Sequence, residues 1–454
     1  MTLKANPVVR TLQPARGLRG SLAVPGDKSI SHRALLLNAL AQGEARVQGF
    51  LPSEDCLSSM ACLRAYGVRF DYDPATAPTT VVVRSPGGAA FVEPNRVLDC
   101  GNSGTTMRLL SGLAAGFDGV SFLDGDDSLR RRPMDRVLRP LQRMGARVDG
   151  RQNGRLAPLT IRGASRASQS GLRPFNDRLE VASAQVKSAI LIAALSADGP
   201  STIEEIGPTR DHTEIMLRAM GADIVGTPVA PGGTRIVVRP GAELQPIDLV
   251  VPGDVSAAAF WLVAGTIVPD SEIHLAGVGL NPTRSGVLDI LNAMGANIEV
   301  SEERLVGGEP VADLVVRSAA LHGATIDGSL VTRAIDEFPV IAVAAAVASG
   351  RTEVRDAAEL RVKESDRVAS TVSMLRALGA NIESREDGFA VEGGAILRGA
   401  RLDSVGDHRL AMAATVAALV AEGESELKGA ESVAISYPEF WRHLAELTGT
   451  GAPV

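Results

Sequence analysis

Several short segments of this 454-residue sequence set basic or small polar side chains at the start of an apolar run, where they could hold an anion. In VPGDKSISHRALLLNALAQG (24–43) a strand ends at Val24, Pro25-Gly26 turns, and the apolar spacing predicts a helix from about Ser29 to Ala41. Lys28, Ser29 and Arg33 then stand at or near a helix N-terminus, where free backbone N–H groups and the macrodipole favour a phosphate or carboxylate. The segment is not a Walker A loop, because Asp27 separates Gly26 from Lys28 and no glycine has the upstream spacing. A charged helix cap is the plain alternative. LDCGNSGTTMRLLSGLAAG (98–116) repeats the plan: Gly101 and Gly104 allow close backbone approach, Asn102 and Thr105 offer caps, and Arg108 lies one turn in. GDDSLRRRPMDRVLRPL (125–141) adds Arg130, Arg131 and Arg132, of which at least one is expected to be solvated.

SAQVKSAILIAAL (183–195) brings Ser183, Gln185 and Lys187 to a helix start, and TRDHTEIMLRAMGA (209–222) brings Arg210, His212 and Glu214 to another. His-x-Glu is half of a zinc-deaminase pattern, and no Pro-Cys-x-x-Cys completes it. Further on, AIDEFPVIAVAAAV (334–347) sets Asp336 and Glu337 against an apolar helix, as acids capping it would be. ELRVKESDRVA (359–369) gathers Lys363, Glu364, Asp366 and Arg367, and GDHRLAMAATVAALV (406–420) puts His408 and Arg409 before one more helix. Acids are the usual choice at a helix N-terminus, so the repeated use of cations predicts an external anion that completes the arrangement. Asp336 and Glu364, tuned by burial and nearby cations, are then candidates for proton transfer. Read from its residues, the chain is an enzyme acting on small, multiply anionic substrates by acid–base chemistry.

A repeat positions these segments. A helix end, a glycine and a strand start recur as LRAYGVRF (63–70), LQRMGARV (141–148), LRAMGADI (217–224), LNAMGANI (291–298) and LRALGANI (375–382), with a frayed copy, LAELTGTG (444–451). The pivots are Gly67, Gly145, Gly221, Gly295, Gly379 and Gly449, and each is expected to end its helix in the left-handed conformation. Helix–glycine–strand junctions are common in α/β proteins, but five clear copies at near-constant spacing predict six units of about 76 residues. The chain exceeds the size at which a single core stops growing, and two globules of three units each follow. PGD at 252–254 echoes PGD at 25–27, which sets the expected division at residues 25–249 against 1–24 with 250–454.

The composition is ordinary for a globular protein, with 45% hydrophobic and 22% charged residues, but aromatics are only 3%, so the core must rest on Ala, Val, Leu and Ile. A net charge of -7 argues against binding nucleic acid through bulk electrostatics. Cys56, Cys62 and Cys100 form neither a disulfide framework nor a zinc pattern and are expected to be reduced. The longest apolar run, 338–348, falls short of a membrane span. Lys4, Arg10, Arg16 and Arg19 precede any acid, as in a transit peptide, yet GLRGSLAVPGD (17–27) already reads as strand and turn; the expected location is the cytoplasm.

Together and in this order, from about residue 18 to 445, the segments resemble the EPSP synthases. The resemblance implies two similar domains, each a threefold assembly of βαβαββ units (an inside-out α/β barrel), with helix N-termini facing an interdomain cleft. It implies transfer of the enolpyruvyl group of phosphoenolpyruvate to the 5-hydroxyl of shikimate 3-phosphate by a monomer, with no metal or organic cofactor. By motif, Lys28, Ser29, Arg33, Ser183, Ala184, Gln185 and Arg210 would bind shikimate 3-phosphate, together with Asp336 and Lys363. Lys28, Gly104, Arg132, Gln185, Arg367 and Arg409 would bind phosphoenolpyruvate. Asp336 would be the base toward the 5-hydroxyl and Glu364 the acid toward the methylene carbon, with Lys28 also catalytic. Fixed guanidinium forks suit phosphate and carboxylate better than lysine does, and a cationic site offsets the repulsion between two anions.

The sequence departs from the family pattern at Ile435, where many members have a lysine, and at Glu359, where an asparagine is frequent. The related UDP-N-acetylglucosamine enolpyruvyl transferases typically carry a cysteine on the loop matching 121–132, and none is present. RNA 3′-phosphate cyclase shares the repeat architecture, but the acidic charge and the absence of a nucleotide motif count against it. A catalytically dead anion-binding relative would have lost Lys28, Asp336 or Glu364, and all three are present. GDK (26–28), SAQVK (183–187), RDHTE (210–214) and NPTR (281–284) resemble the subgroup with reduced sensitivity to glyphosate, which competes with phosphoenolpyruvate. Gly104 leaves room for the inhibitor, so intermediate sensitivity is expected.

Overall fold

The computed structural model describes residues 7–164, 171–230 and 232–450. Lys4 and Gly451 of the sixth repeat copy lie outside the described residues. The chain forms two compact units: Gly26–Pro252 with Leu305–Glu309, and the segment ending at Pro25 with Gly253–Arg304 and everything from Pro310 onward. Each has its own hydrophobic core.

Twelve helices carry the repeat. In the first unit they are α1 (Lys28–Leu40), α2 (Glu54–Arg64), α3 (Gly104–Ala115), α4 (Asp135–Met144), α5 (Ala184–Ala194) and α6 (His212–Ala219). In the second they are α7 (Val255–Ile267), α8 (Gly286–Ala293), α9 (Phe338–Val347), α10 (Arg367–Ala377), α11 (His408–Ala418) and α12 (Phe440–Thr448). The odd-numbered helices are apolar on nearly all sides and therefore buried, as every residue from Ile30 to Ala39 and from Phe338 to Ala346 is. The even-numbered helices are buried along one stripe only, such as Cys56, Met60 and Leu63 of α2, and lie outside them. Small residues let the inner helices approach closely: a Cβ on Gly112 of α3 would meet the Ala189 carbonyl of α5 at 2.3 Å. In the second unit α7, α9 and α11 pack on one another, and their alanines serve the same purpose.

Each outer helix ends at a pivot glycine. The φ values of Gly67, Gly145, Gly221, Gly295, Gly379 and Gly449 are +93°, +107°, +91°, +93°, +91° and +66°, the left-handed conformation expected of them. A strand follows each of the first five. Five of the six sheets among the described residues have one plan: a short strand pairs in parallel with a longer one, which is joined by an antiparallel hairpin; the sixth has three strands. In the first unit Leu249–Val250 comes back to Gln42–Gln48 of the first repeat, closing the threefold ring. In the second unit Arg19–Ala23 supplies the parallel strand beside Glu272–Gly279, and Val9–Leu12 pairs antiparallel with Ser425–Lys428 of the last repeat. The fold is thus two threefold α/β assemblies, each with inner helices surrounded by sheets and outer helices. Among the described residues no helix is long and apolar enough to cross a membrane. Cys56, Cys62 and Cys100 are buried free thiols.

Candidate active site

The inner helices share a feature at their starts: α1, α3, α5, α7, α9 and α11 have no acid in the first turn, whereas α2, α4, α6 and α8 do. Of the residues singled out in the sequence, Lys28, Ser29, Gly104, Ser183, Gln185, Asp336 and Arg409 lie at or beside these ends, whereas Arg210 precedes α6 and Lys363, Glu364 and Arg367 lead into α10.

In the first unit, Asp27 caps α1 by accepting from the Ile30 N–H at 2.9 Å. Lys28 follows, its Nζ 3.0 Å from Asp55 Oδ2 on α2. Arg33, one turn on, is buried. It donates from Nε to Thr213 Oγ1 at 2.7 Å, from Nη2 to Ser188 Oγ at 2.8 Å, and from Nη1 to the Ser29 carbonyl at 3.0 Å. Burial pulls its pKa down to about 10, against the pull of Glu214. Arg33 therefore ties α5 and α6 to the start of α1 from behind Ser29. Arg210 approaches the same residue, donating to Ser29 Oγ at 3.4 Å. Deeper still, Lys187 is 1% exposed between Glu205 at 2.9 Å and Glu214 at 2.6 Å. Burial pulls its pKa down, and the two glutamates outweigh that and raise it.

At the start of α3 the cap is Ser103, not the expected Asn102 or Thr105. Ser103 is extended and directly precedes the helix, so its Oγ reaches the Thr106 N–H at 3.1 Å. Asn102 stands one residue too early and instead accepts from Arg132 and donates to Asp126 at 2.6 Å. Thr105 accepts from Gln185 Nε2 at 2.9 Å, while Gln185 Oε1 accepts from Arg108 Nη1 at 2.6 Å. Gln185 is thus gripped at both ends of its amide. Arg108 also donates to the Pro133 carbonyl at 3.3 Å. Gly104 lies under two guanidinium groups: a Cβ there would stand 2.7 Å from Arg108 Nη1 and 3.4 Å from Arg132 Nη1. Of the three arginines, Arg130 pairs with Asp124 at 2.6 Å, Arg131 is exposed, and Arg132 is buried. Ser183 caps α5, accepting from the Val186 N–H at 3.5 Å, and Ala184 and Gln185 open that helix.

In the second unit Asp336 and Glu337 do not cap α9. Glu337 occupies the cap position without a side-chain cap bond. It accepts from Ser256 Oγ and faces Arg409 at 3.6 Å and Arg284 at 3.7 Å. Asp336 faces Arg367 at 3.2 Å, Arg284 at 3.6 Å and Lys363 at 3.7 Å. Full cations nearby attract these carboxylates more strongly than the partial charge of the helix end. Arg367 is the hub, donating to Glu364 Oε2 at 2.6 Å and to Asp407 Oδ2 at 2.9 Å. Burial works against its charge, but Asp407, Glu364 and Asp336 hold its pKa above the ordinary value. The Lys363 pKa is pulled down by burial, opposed by Asp336 and Glu359. Asp407 caps α11 by accepting from the Arg409 N–H at 2.9 Å, and Arg409 reaches Ser256 Oγ at 2.7 Å.

Asp336, Glu364 and Asp407 thus share the Arg367 guanidinium in a cluster of alternating charges, an arrangement suited to moving protons beside an anionic ligand. Asp55, Arg284 and Asp407 were not singled out in the sequence as site residues. Asp407 directly precedes His408, and Arg284 ends the NPTR segment; Asp55 carried no signal beyond its place in the first turn of a helix. His212 directs Nδ1 to Glu309 at 2.8 Å, and no group of His, Cys, Asp and Glu among the described residues has the arrangement of a metal site.

The family model described as EPSP synthase (3-phosphoshikimate 1-carboxyvinyltransferase) matches residues 12–444. A protein of Herpetosiphon aurantiacus named 3-phosphoshikimate 1-carboxyvinyltransferase is 52% identical over 441 residues, covering 96% of this chain and 99% of that protein. One of the same name from a Roseiflexus species is 53% identical over 445 residues, 97% and 99% of the two chains. Among solved structures, EPSP synthase from Acinetobacter baumannii superposes with a TM-score of 0.85 at 38% identity, covering 97% of this chain and 98% of that one.

Proposed function

Since this chain belongs to the EPSP synthase family, we propose a division of labour between its two groups of polar side chains. The enzyme is a 3-phosphoshikimate 1-carboxyvinyltransferase of aromatic amino acid biosynthesis, which moves the enolpyruvyl group of phosphoenolpyruvate to the 5-hydroxyl of shikimate 3-phosphate and releases phosphate. In the first unit, Lys28, Ser29, Ser183, Ala184, Gln185 and Arg210 hold shikimate 3-phosphate, with Arg33 bracing Ser29 from behind. Asp336 and Lys363 belong to the same set. Phosphoenolpyruvate is held by Lys28, Gly104, Arg132 and Gln185 together with Arg367 and Arg409.

Asp336 takes the proton of the 5-hydroxyl as its oxygen attacks C2 of phosphoenolpyruvate, and Glu364 gives a proton to C3. The saturated adduct then returns a C3 proton to the Glu364 carboxylate as the C2–O bond to phosphate breaks, which restores the double bond and releases phosphate. Lys28 and Lys363 stabilise the anionic groups of both ligands. Cations offset the repulsion between two multiply charged substrates, which must meet in one orientation before either proton moves. The observation that carries this reading is Arg367, which joins Asp336 at 3.2 Å and Glu364 at 2.6 Å. One fixed cation holds the base and the acid beside each other. The net charge of -7 fits an enzyme that binds small molecules rather than nucleic acid, and we place it in the cytoplasm as a monomer.

The test is phosphate release measured with both substrates and with each alone. Release that requires both, with the enolpyruvyl ether of shikimate 3-phosphate as co-product, is the expected result. Release from phosphoenolpyruvate alone at the same rate would overturn it.

A further inference from the structure

The NPTR segment has no role in the reaction as described so far. Its geometry is that of a built support. Asn281 Oδ1 accepts from the Thr283 N–H at 2.9 Å and from Thr283 Oγ1 at 2.6 Å. The Asn281 carbonyl accepts from the Arg284 and Ser285 N–H groups at 2.8 and 3.0 Å, and the Pro282 carbonyl accepts from Arg333 Nε at 2.6 Å. The turn thereby fixes the backbone of Arg284, whose side chain is only 3% exposed. Its Nη2 donates to Asp254 Oδ1 at 3.0 Å, and that carboxylate caps α7 by accepting from the Ser256 N–H at 2.8 Å. Its Nη1 stands 3.6 Å from Asp336 Oδ2 and 3.7 Å from Glu337 Oε1.

We propose that Arg284 is a positioning residue for the reaction, acting through Asp336 rather than on either substrate. The inference rests on the role of Asp336 proposed above. Lys363 and Arg367 both face Oδ1 of Asp336, and Arg284 faces Oδ2. Cations on both oxygens fix the plane of the carboxylate and favour its ionised form, the form that accepts a proton. Lys363 and Arg367 are also assigned to ligands. Arg284 is anchored instead by Asp254 and by its own turn. It also stands between two adjacent acids, Asp336 and Glu337, and offsets the repulsion between them. Only a fork can do this: one guanidinium nitrogen meets Asp254 while the other meets both acids, and an ammonium group is a single point.

The experiment compares kcat, KM and melting temperature for Arg284→Lys, Asp336→Asn and the double variant, with Arg284→Gln as a further step. Arg284→Lys keeps the buried charge and should melt close to the parent. Its kcat should fall roughly tenfold or more, the scale of a misplaced catalytic group, while KM for phosphoenolpyruvate stays within about threefold. In the Asp336→Asn background the same substitution should change kcat by less than about twofold, because the group it serves is gone. An Arg284→Lys variant with parental kcat overturns the proposal. So does a full multiplicative loss in the double variant, which would mark Arg284 as acting on the fold at large. Asp336→Asn with parental turnover would overturn the assignment of Asp336 itself, and Arg284 with it.

Discussion

Gly104→Ala tests the phosphoenolpyruvate site with a single methyl group. The added Cβ would lie 2.7 Å from Arg108 Nη1, 3.4 Å from Arg132 Nη1 and 3.5 Å from Arg108 Cζ. To restore an ordinary contact the Arg108 guanidinium must retreat by about 0.7 Å. It is not free to do so without loss, since it donates to Gln185 at 2.6 Å and to the Pro133 carbonyl at 3.3 Å. Stretching the charge-assisted bond to Gln185 forfeits part of the roughly 1.5–3 kcal/mol such a bond contributes. A net cost of about 1–2 kcal/mol corresponds to a 5- to 30-fold rise in KM for phosphoenolpyruvate. KM for shikimate 3-phosphate should change less, because Lys28, Ser29 and Arg210 are untouched. Glyphosate, which competes with phosphoenolpyruvate in this family, should lose affinity by at least as much, so the variant should be the more tolerant enzyme. The assay is steady-state phosphate release over a matrix of phosphoenolpyruvate and glyphosate concentrations. An alanine variant with parental KM and parental inhibition would refute the reasoning, because Gly104 could then not line the phosphoenolpyruvate site as proposed.

Other perturbations have equally definite outcomes. Asp336→Asn and Glu364→Gln should each lower kcat by about 10²-fold or more with smaller effects on shikimate 3-phosphate affinity, read by single-turnover kinetics. Lys187→Met leaves Glu205 and Glu214 buried without their cation and should cost about 3–5 kcal/mol, seen as a melting temperature lower by on the order of 10 °C. His32 is buried and neutral, with burial pulling its pKa from 6.5 down to about 3. The unfolded chain takes up that proton first, so the stabilising effect of a neutral His32 is complete above pH 6.5 and is lost as pH falls toward 3. Denaturant midpoints measured across this window should decline less steeply for His32→Gln, and equal slopes would contradict the assignment.

Some of this was legible in the sequence because it is local. A glycine that ends a helix announces itself by its neighbours, and all six pivots adopt the left-handed conformation. The polar starts of the inner helices were visible for the same reason, as was a solvated member of the arginine triplet, Arg131. The misreadings concern which partner wins. Asn102 and Thr105 have cap chemistry, but the side chain in the extended residue just before the helix is that of Ser103. Asp336 and Glu337 have dipole-compatible charge, but they face Arg284, Arg367 and Arg409, which arrive from a turn and two other helices. Partners such as Asp55 and Arg284 come from elements distant in sequence, and no periodicity encodes such a pairing.

The way the second unit closes bears on how the chain is made. The first unit is finished, apart from Leu305–Glu309, once residue 252 has left the ribosome, since Leu249–Val250 completes its ring. The second unit must wait. Its last repeat needs Val9–Leu12, and the Val8 N–H finds the Glu431 carboxylate 423 positions downstream. The opening strand therefore spends nearly the whole of synthesis without its partner, with the finished first unit emerging between the two. Pairing over so long a separation is intrinsically slow. A circular permutant joining residue 450 to residue 7 and opened between residues 25 and 26 would make each unit nearly continuous along the chain.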